Sequence, residues 1–218
     1  MIVVIQCAAT KRPHAGRFRT SSGWPVLFVA DPLKTPASNC LYARPDDTSD
    51  EGPTWRELLL RYNDQKNENP FGLLAAFDLY ENDTYRHLVD RFGLENTYIL
   101  SAGWGLIKGA FLTPAYNITF AAQADAYKRR RRKDLYQDFC MLPSDTAEPI
   151  FFFGGQDYVP LFSWLTRSIS APKTVFHYSA MPPVAPGCSL QRFASSNPRK
   201  WPYECATAFI EKRRTAFP

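Results

Sequence analysis

Residues 99–106, Ile99-Leu100-Ser101-Ala102-Gly103-Trp104-Gly105-Leu106, continue to Phe120 as IKGAFLTPAYNITF, and the rest of the chain is read outward from this stretch. It begins as a buried strand over residues 97–100 and breaks into a loop of small residues, Ser101 to Gly105. It ends in a second extended piece carrying Tyr116 and Asn117. A strand that runs into glycines lets backbone N–H groups approach a ligand, because glycine has no Cβ in the way. Trp104 offers a flat face between Gly103 and Gly105, and Tyr116 and Asn117 bring a hydroxyl and an amide toward the same mouth. The alternative is a tight turn around a core tryptophan.

Upstream, Ile2–Gln6 is a continuous apolar, β-branched run. It predicts a central parallel strand buried on both faces. Ligands of open α/β sheets sit at the carboxyl ends of strands, so Gln6, Cys7, Thr10 and Lys11 are placed to meet a substrate, with Lys11 and Arg12 suited to a phosphate. Residues 13–77 form a long Pro-, Ser-, Asp- and Gly-rich excursion with one strand at 26–29. The spacing of Trp55, Leu58, Leu59 and Tyr62 predicts a helix over 53–65, capped by Thr54. Tyr85, Leu88, Val89 and Phe92 predict another over 80–92, ended by Gly93.

Downstream, residues 121–139 read as a helix carrying Arg129, Arg130, Arg131, Arg132 and Lys133. Five neighbouring cations cover every side of a helix, so about three could line a phosphate track. Two more buried strands are predicted, over 149–153 and 173–177. Gly154, Gly155, Gln156, Asp157 and Tyr158 follow the first, leading into a helix through Arg167, and His177, Tyr178 and Ser179 end the second. Residues 182–198 read as loop and 201–212 as a closing helix. The alternation predicts one α/β domain with a mostly parallel central sheet, helices on both faces and an insertion at about 13–77.

Composition narrows the function classes. Among 218 residues, 45% are hydrophobic and 22% charged, ordinary for a soluble globular protein. Aromatics reach 15%, more than a core of this size usually needs, which leaves some for stacking surfaces. The net charge of +5 leans toward a polyanionic partner. Five scattered cysteines, with no CxxC pair, argue against a disulfide framework and a zinc ribbon. They suggest reduced thiols in a cytoplasmic protein. Neither a signal peptide nor a membrane span is expected, and the three separated histidines suggest neither a metal nor another cofactor. There is no P-loop and no GxGxxG. A Cys7–His177 nucleophilic pair is one reading of the strand ends, with Cys7 as a plain core thiol the other.

A second reading joins four strand ends at one mouth: Gln6 and Cys7, Ser101 to Gly105, Gly154 and Gly155, and His177 to Ser179. Such a site is rich in backbone donors, aromatic faces and amides and poor in carboxylates, which suits a flat polar base and a departing anion.

Several segments resemble a known family. Ile5-Gln6-Cys7-Ala8-Ala9-Thr10-Lys11 is similar to the SCSATK start of the small domains related to the peroxide-stress protein YaaA. LSAGWGLI at 100–107 resembles their LSAKYGLL, Tyr116–Phe120 their PYDxTL, and Asp78-Leu79-Tyr80 their LY helix entry. That group resembles the uracil-DNA-glycosylase superfamily, and His177-x-Ser179 is similar to its HPSP motif. The resemblance implies a uracil-DNA-glycosylase-like fold and excision of a modified base from DNA. It also brings in anti-phage glycosylases that remove glucosylated hydroxymethylcytosine from viral DNA. It implies catalytic roles for Asn117, His177 and Asp78, with base contacts from Gln6, Cys7, Tyr80, Ser101, Gly103, Trp104, Tyr116, Gly155, Tyr158 and Ser179. Lys11, Arg12, Arg129, Arg130, Arg132 and Lys133 would hold DNA. This sequence departs from the family pattern in three places: the 13–77 insertion, Asn117 in place of Asp, and Tyr178 in place of Pro. Since Asn cannot act as a base, a water-activating carboxylate would come from Asp31, Asp78, Asp125 or Asp157. The rival functions are a non-enzymatic DNA-binding stress protein and an N-glycosidase of free nucleotides.

Overall fold

A computed structural model describes residues 1–65, 68–195 and 197–215. The first strand, β1 (Ile2–Gln6), is made of side chains that want burial on both faces, and it sits inside a seven-stranded sheet. Its neighbours are β5 (Thr97–Ser101) on one side and β10 (Ile150–Phe153) on the other, both parallel to it. Beyond β10 lie β11 (Lys173–His177) and then β12 (Ser189–Arg192), again parallel. Beyond β5 the chain turns back as β6 (Gly105–Lys108), antiparallel to β5, and β6 pairs in parallel with β9 (Phe139–Cys140). The edge strand β12 falls where the sequence predicts loop. Its residues are exposed, so no apolar alternation announces it.

Side-chain alternation along β10 places helices on both faces. Phe152 stacks on Phe162 of α3 (Val159–Leu165), whereas Phe151 and Phe153 pack on Phe209 of α4 (Trp201–Thr215). α2 (Thr84–Phe92) lies against α4 and β1. It starts later than its pattern suggests, and its first turn is satisfied by Asn82, whose Oδ1 accepts the Thr84 N–H at 2.9 Å. α1 (Trp55–Asp64) opens with the expected Thr54, in a reciprocal capping box with Glu57. No helix among the described residues is long and apolar enough to cross a membrane.

The predicted helix over 121–139 does not form. Those residues are turns and loop ending in β9. Arg130 forms a buried ion pair with Asp138, with N–O distances of 2.8 and 2.5 Å. In a helix, eight residues of rise would hold their backbones about 12 Å apart. Mutual repulsion within the cation run removes the remaining incentive to coil.

The 13–77 segment is built into the body of the molecule. Its β2 (Val26–Val29) is flanked in parallel by β3 (Leu41–Ala43) and by β8 (Tyr116–Asn117), with Phe28 opposite Tyr116 and Val29 opposite Asn117. A further pair, β4 (Leu74–Ala75) with β7 (Leu112–Thr113), closes its other end. Phe18, Phe28, Trp55 and Leu59 share one continuous hydrophobic core with Val4, Ile99 and Phe152. From this segment Arg56 reaches the Ser101–Gly105 turn: its guanidinium donates to Gly103 O at 3.0 Å and Trp104 O at 3.1 Å while paired with Asp46 at 2.5 Å. Replacing Arg56 by Leu strands one carboxylate and two carbonyls. The loss expected in chemical denaturation is about 3–5 kcal/mol.

Candidate functional site

The chain leaves β1 toward β5 and leaves β10 toward β11, so the order of connection reverses between β1 and β10. In open α/β sheets the crevice outside the carboxyl ends at such a reversal is where ligands bind. Here it is laced by polar contacts. Gly155 N–H donates to Gln6 Oε1 at 2.5 Å, Tyr158 OH lies 3.2 Å from Cys7 Sγ, and Ala102 N–H points to the same sulfur at 3.4 Å. Tyr85 OH donates to Gln6 O at 2.8 Å and meets Tyr203 OH at 3.4 Å. On the β5 side, Ser101 Oγ donates to Tyr116 OH at 2.8 Å, and Tyr116 OH meets Tyr80 OH at 2.9 Å.

The result is a buried cluster of phenols, one hydroxyl and one thiol. Burial, reinforced by the Cys7 sulfur, drives the acidity of Tyr80, Tyr116 and Tyr158 far below that of a free phenol, so their pKa values lie well above the usual one. Tyr85 shifts the same way, through burial and then its phenol neighbours. These groups remain neutral hydrogen-bonding phenols throughout the physiological range.

The cluster opens on one side into a cavity of about 190 Å³. Its lining brings together Lys11, Arg12 and Arg17 with Tyr116 and Asn117, and it contains no Asp or Glu. Asn117 is held there by β8, whose register with β2 fixes its neighbour Tyr116 into the hydroxyl chain. Lys11 Nζ stands 4.0 Å from the Tyr116 ring centre and 5.9 Å from that of Tyr80, and donates to Ala9 O at 3.3 Å. Desolvation brings its pKa down from 10.5 to about 8, opposed in part by Cys7. No family model, curated protein or solved structure matches this chain.

The structure therefore gathers Lys11, Arg12, Tyr116 and Asn117, backed by Gln6, Cys7, Tyr80, Ser101 and Tyr158, and separates other expected members from them. Trp104 cannot stack on a base: it is fully buried, edge-on to Phe28 at 5.0 Å. Tyr80 is buried as well, so its contribution is its hydroxyl and the ring face under Lys11. Gly103 packs against Tyr116 and Ile118, and its carbonyl belongs to Arg56. The Ser101–Gly105 stretch is thus the tight turn around a core tryptophan, with Gly105 at φ +88° where a Cβ would strike Phe139.

Asp78 is clamped by Arg86 and lies 3.4 Å from Arg12 Nε, which also donates to its carbonyl at 2.9 Å. These contacts converge on its Oδ1, so Asp78 anchors Arg12 at the edge of the cavity without lining it. His177 is buried at the end of β11, with β10 between it and β1. Its Nδ1 lies 3.1 Å from Ser179 O, and Ser179 Oγ donates to Met181 O. Neither lines the cavity, so the four-strand mouth contracts to the side between the segment that follows β1 and β8. Among the described residues no three His, Cys, Asp or Glu side chains cluster as a metal site, and all five cysteines are free.

Arg130 is not a phosphate contact. Besides Asp138 it donates to Ala102 O at 2.9 Å, and its guanidinium lies over the Tyr136 ring at 3.9 Å. Its neighbours Arg129, Arg131, Arg132 and Lys133 are exposed. Their loop hangs from Thr119, two residues past Asn117, through Thr119 N–H to Lys128 O and Arg130 N–H to Thr119 O, each at 2.9 Å. Sequence reading missed Arg17, Tyr85, Tyr203 and Arg56. Arg17 and Arg56 lie in the segment read as an excursion, and tyrosines at helical spacing look like core.

Two measurements follow from this geometry. Arg130→Met should destabilise the fold by about 3–5 kcal/mol, whereas Arg131→Met should stay within about 0.5 kcal/mol, as read by denaturant titration. For Lys11, folded and unfolded chains are both protonated below about pH 8, so the folded state there bears the full cost of a desolvated charge. Between about 8 and 10.5 the unfolded chain holds the proton more tightly, and stability rises with pH. Lys11→Met should therefore melt above the wild type at neutral pH, and its advantage should shrink as the pH approaches 10.5.

Proposed function

We propose that this protein is a DNA glycosylase with a uracil-DNA-glycosylase-like fold, hydrolysing the N-glycosidic bond of a modified base and leaving an abasic site. The observation that carries this reading is the cavity between the segment that follows β1 and β8, lined by no Asp or Glu, rimmed by Lys11, Arg12 and Arg17 and furnished with the Asn117 amide. Three cations suit a phosphate-bearing ligand, and an amide suits a base edge or a water. The exposed cations Arg129, Arg131, Arg132 and Lys133 belong to a loop tethered at Thr119, two residues past Asn117, and would add phosphate contacts.

In this reading the target nucleotide leaves the stack and enters the cavity, at a cost of a few kcal/mol recovered from phosphate and base contacts. As the glycosidic bond stretches, negative charge grows on the departing base and positive charge on the sugar. Lys11 and Arg12 stabilise the former from a desolvated position, and the phosphates of the DNA itself offset the latter. Asn117 orients the base edge or the attacking water. The neutral phenols behind Tyr116 keep the wall rigid without adding a negative charge that would repel the leaving group. A phage genome with hydroxymethylated or glucosylated cytosine is the substrate suggested by the sequence resemblance.

The test is incubation with plain, hydroxymethylcytosine and glucosylated DNA, scoring alkali-labile sites and released base by mass. Base release from modified DNA is expected, falling about 10²-fold in Asn117→Ala through loss of a positioned polar group. Combined replacement of Arg131 and Arg132 should weaken DNA binding and flatten its salt dependence. Hydrolysis of free nucleotides alone, indifferent to those two arginines, would overturn the assignment to DNA. Tight binding without any product would reduce the protein to a DNA-binding one.

A further inference from the structure

The treatment of Lys11 differs from that of other lysines in this molecule. Lys34 is paired with Asp31, Lys128 with Asp125, and Lys173 donates to the carbonyls of Thr166 and Ile169. Lys11 lies against the ring of Tyr116, with one carbonyl contact at 3.3 Å and no carboxylate within ion-pair distance among the described residues. Two arginines already line the same cavity, so phosphate docking does not by itself call for a third cation there. The ring face and the Ala9 carbonyl hold the side chain in place, while two arginines in the same lining and the absence of a carboxylate favour release of its proton to give the uncharged amine, which carries the lone pair needed to attack a carbonyl. With its pKa at about 8, a substantial share of the amine is neutral at the pH of a mildly alkaline cell or buffer.

We propose that Lys11 is a nucleophilic amine that captures the C1′ aldehyde of an abasic deoxyribose as a Schiff base. The proposal rests on the glycosylase reading for the source of that aldehyde, since base removal leaves a sugar that opens to one. The Nζ lone pair forms a bond to C1′ as the carbonyl π pair moves onto oxygen. A proton passes from nitrogen to that oxygen, giving a carbinolamine. Protonation of its hydroxyl expels water as the nitrogen lone pair closes the C=N bond, and the resulting iminium returns a proton from nitrogen to solvent. Aldehyde and amine thus give imine and water, with no oxidant or further reactant. Arg12 and Arg17 are placed to hold the flanking phosphates while the Tyr116 ring seats the amine.

Borohydride trapping tests this with the full chain. Purified protein is mixed with a duplex carrying one preformed abasic site, so the result does not depend on which base the protein removes. Reduction of the imine should give a covalent protein–DNA adduct on a denaturing gel, and peptide mass analysis should place the link on Lys11. Lys11→Arg keeps a cation over Tyr116 but cannot form the imine, so the adduct should fall by more than about tenfold. Lys34→Arg should leave it at the wild-type level. Absence of an adduct with folded wild-type protein, an adduct mapped to another residue, or an undiminished one in Lys11→Arg would each overturn the proposal. An adduct on Lys11 without base release from modified DNA would keep the amine's role and discard the glycosylase reading. Base release without an adduct would do the reverse.

Discussion

A single buried guanidinium ties this structure together. Arg56 holds the carbonyls of Gly103 and Trp104 with one edge and Asp46 with the other, and its charge lies within 5.5 Å of the Trp104 ring centre. A charge out of water survives only when its donors are satisfied, so the helix that carries Arg56 and the turn it grips cannot move independently. Through that turn Arg56 fixes Ser101, and through Ser101 the Tyr116 hydroxyl. The segment between residues 13 and 77 is thereby part of the machinery that shapes the cavity, and it also supplies Arg17 to its wall.

The second organising fact is the absence of negative charge at the end of β1. Where many enzymes place a carboxylate, this crevice is filled by tyrosines linked to one another, to Ser101 and to Cys7. Phenols this deeply buried stay protonated, so they give direction and rigidity without contributing a base. The nearest candidate carboxylate, that of Asp78, turns its Oδ1 to Arg12 and Arg86. The groups that line the cavity are Lys11, Arg12, Arg17, a phenol and an amide.

The architecture was legible in the sequence because its determinants are local. β1, β10 and β11 announce themselves as apolar runs, and α1 by Thr54 followed three residues later by Glu57. The placing of Lys11 beyond the end of β1 also followed from the general position of ligands in parallel sheets. What was illegible depends on partners distant in sequence. Arg130 looks like its neighbours until Asp138 and Ala102 O are seen around it. Trp104 looks like a stacking platform until Phe28, from a strand whose partners lie far off in sequence, is found covering it. β12 escaped for the opposite reason, since its exposed residues leave the backbone pairing as its only signature.

The position of β1 also governs how the chain must assemble. Its five residues are synthesised before either neighbour, yet Val3 pairs with Thr97 and Ile2 with Ile150. Contacts of such long sequence separation are slow to form, because loop-closure entropy must be spent before any pairing rewards it. Until β10 arrives, one edge of this apolar strand has no native partner. An emerging or refolding chain therefore carries an adhesive strand for most of its length, and the yield of native protein will depend on what shields it in the interval.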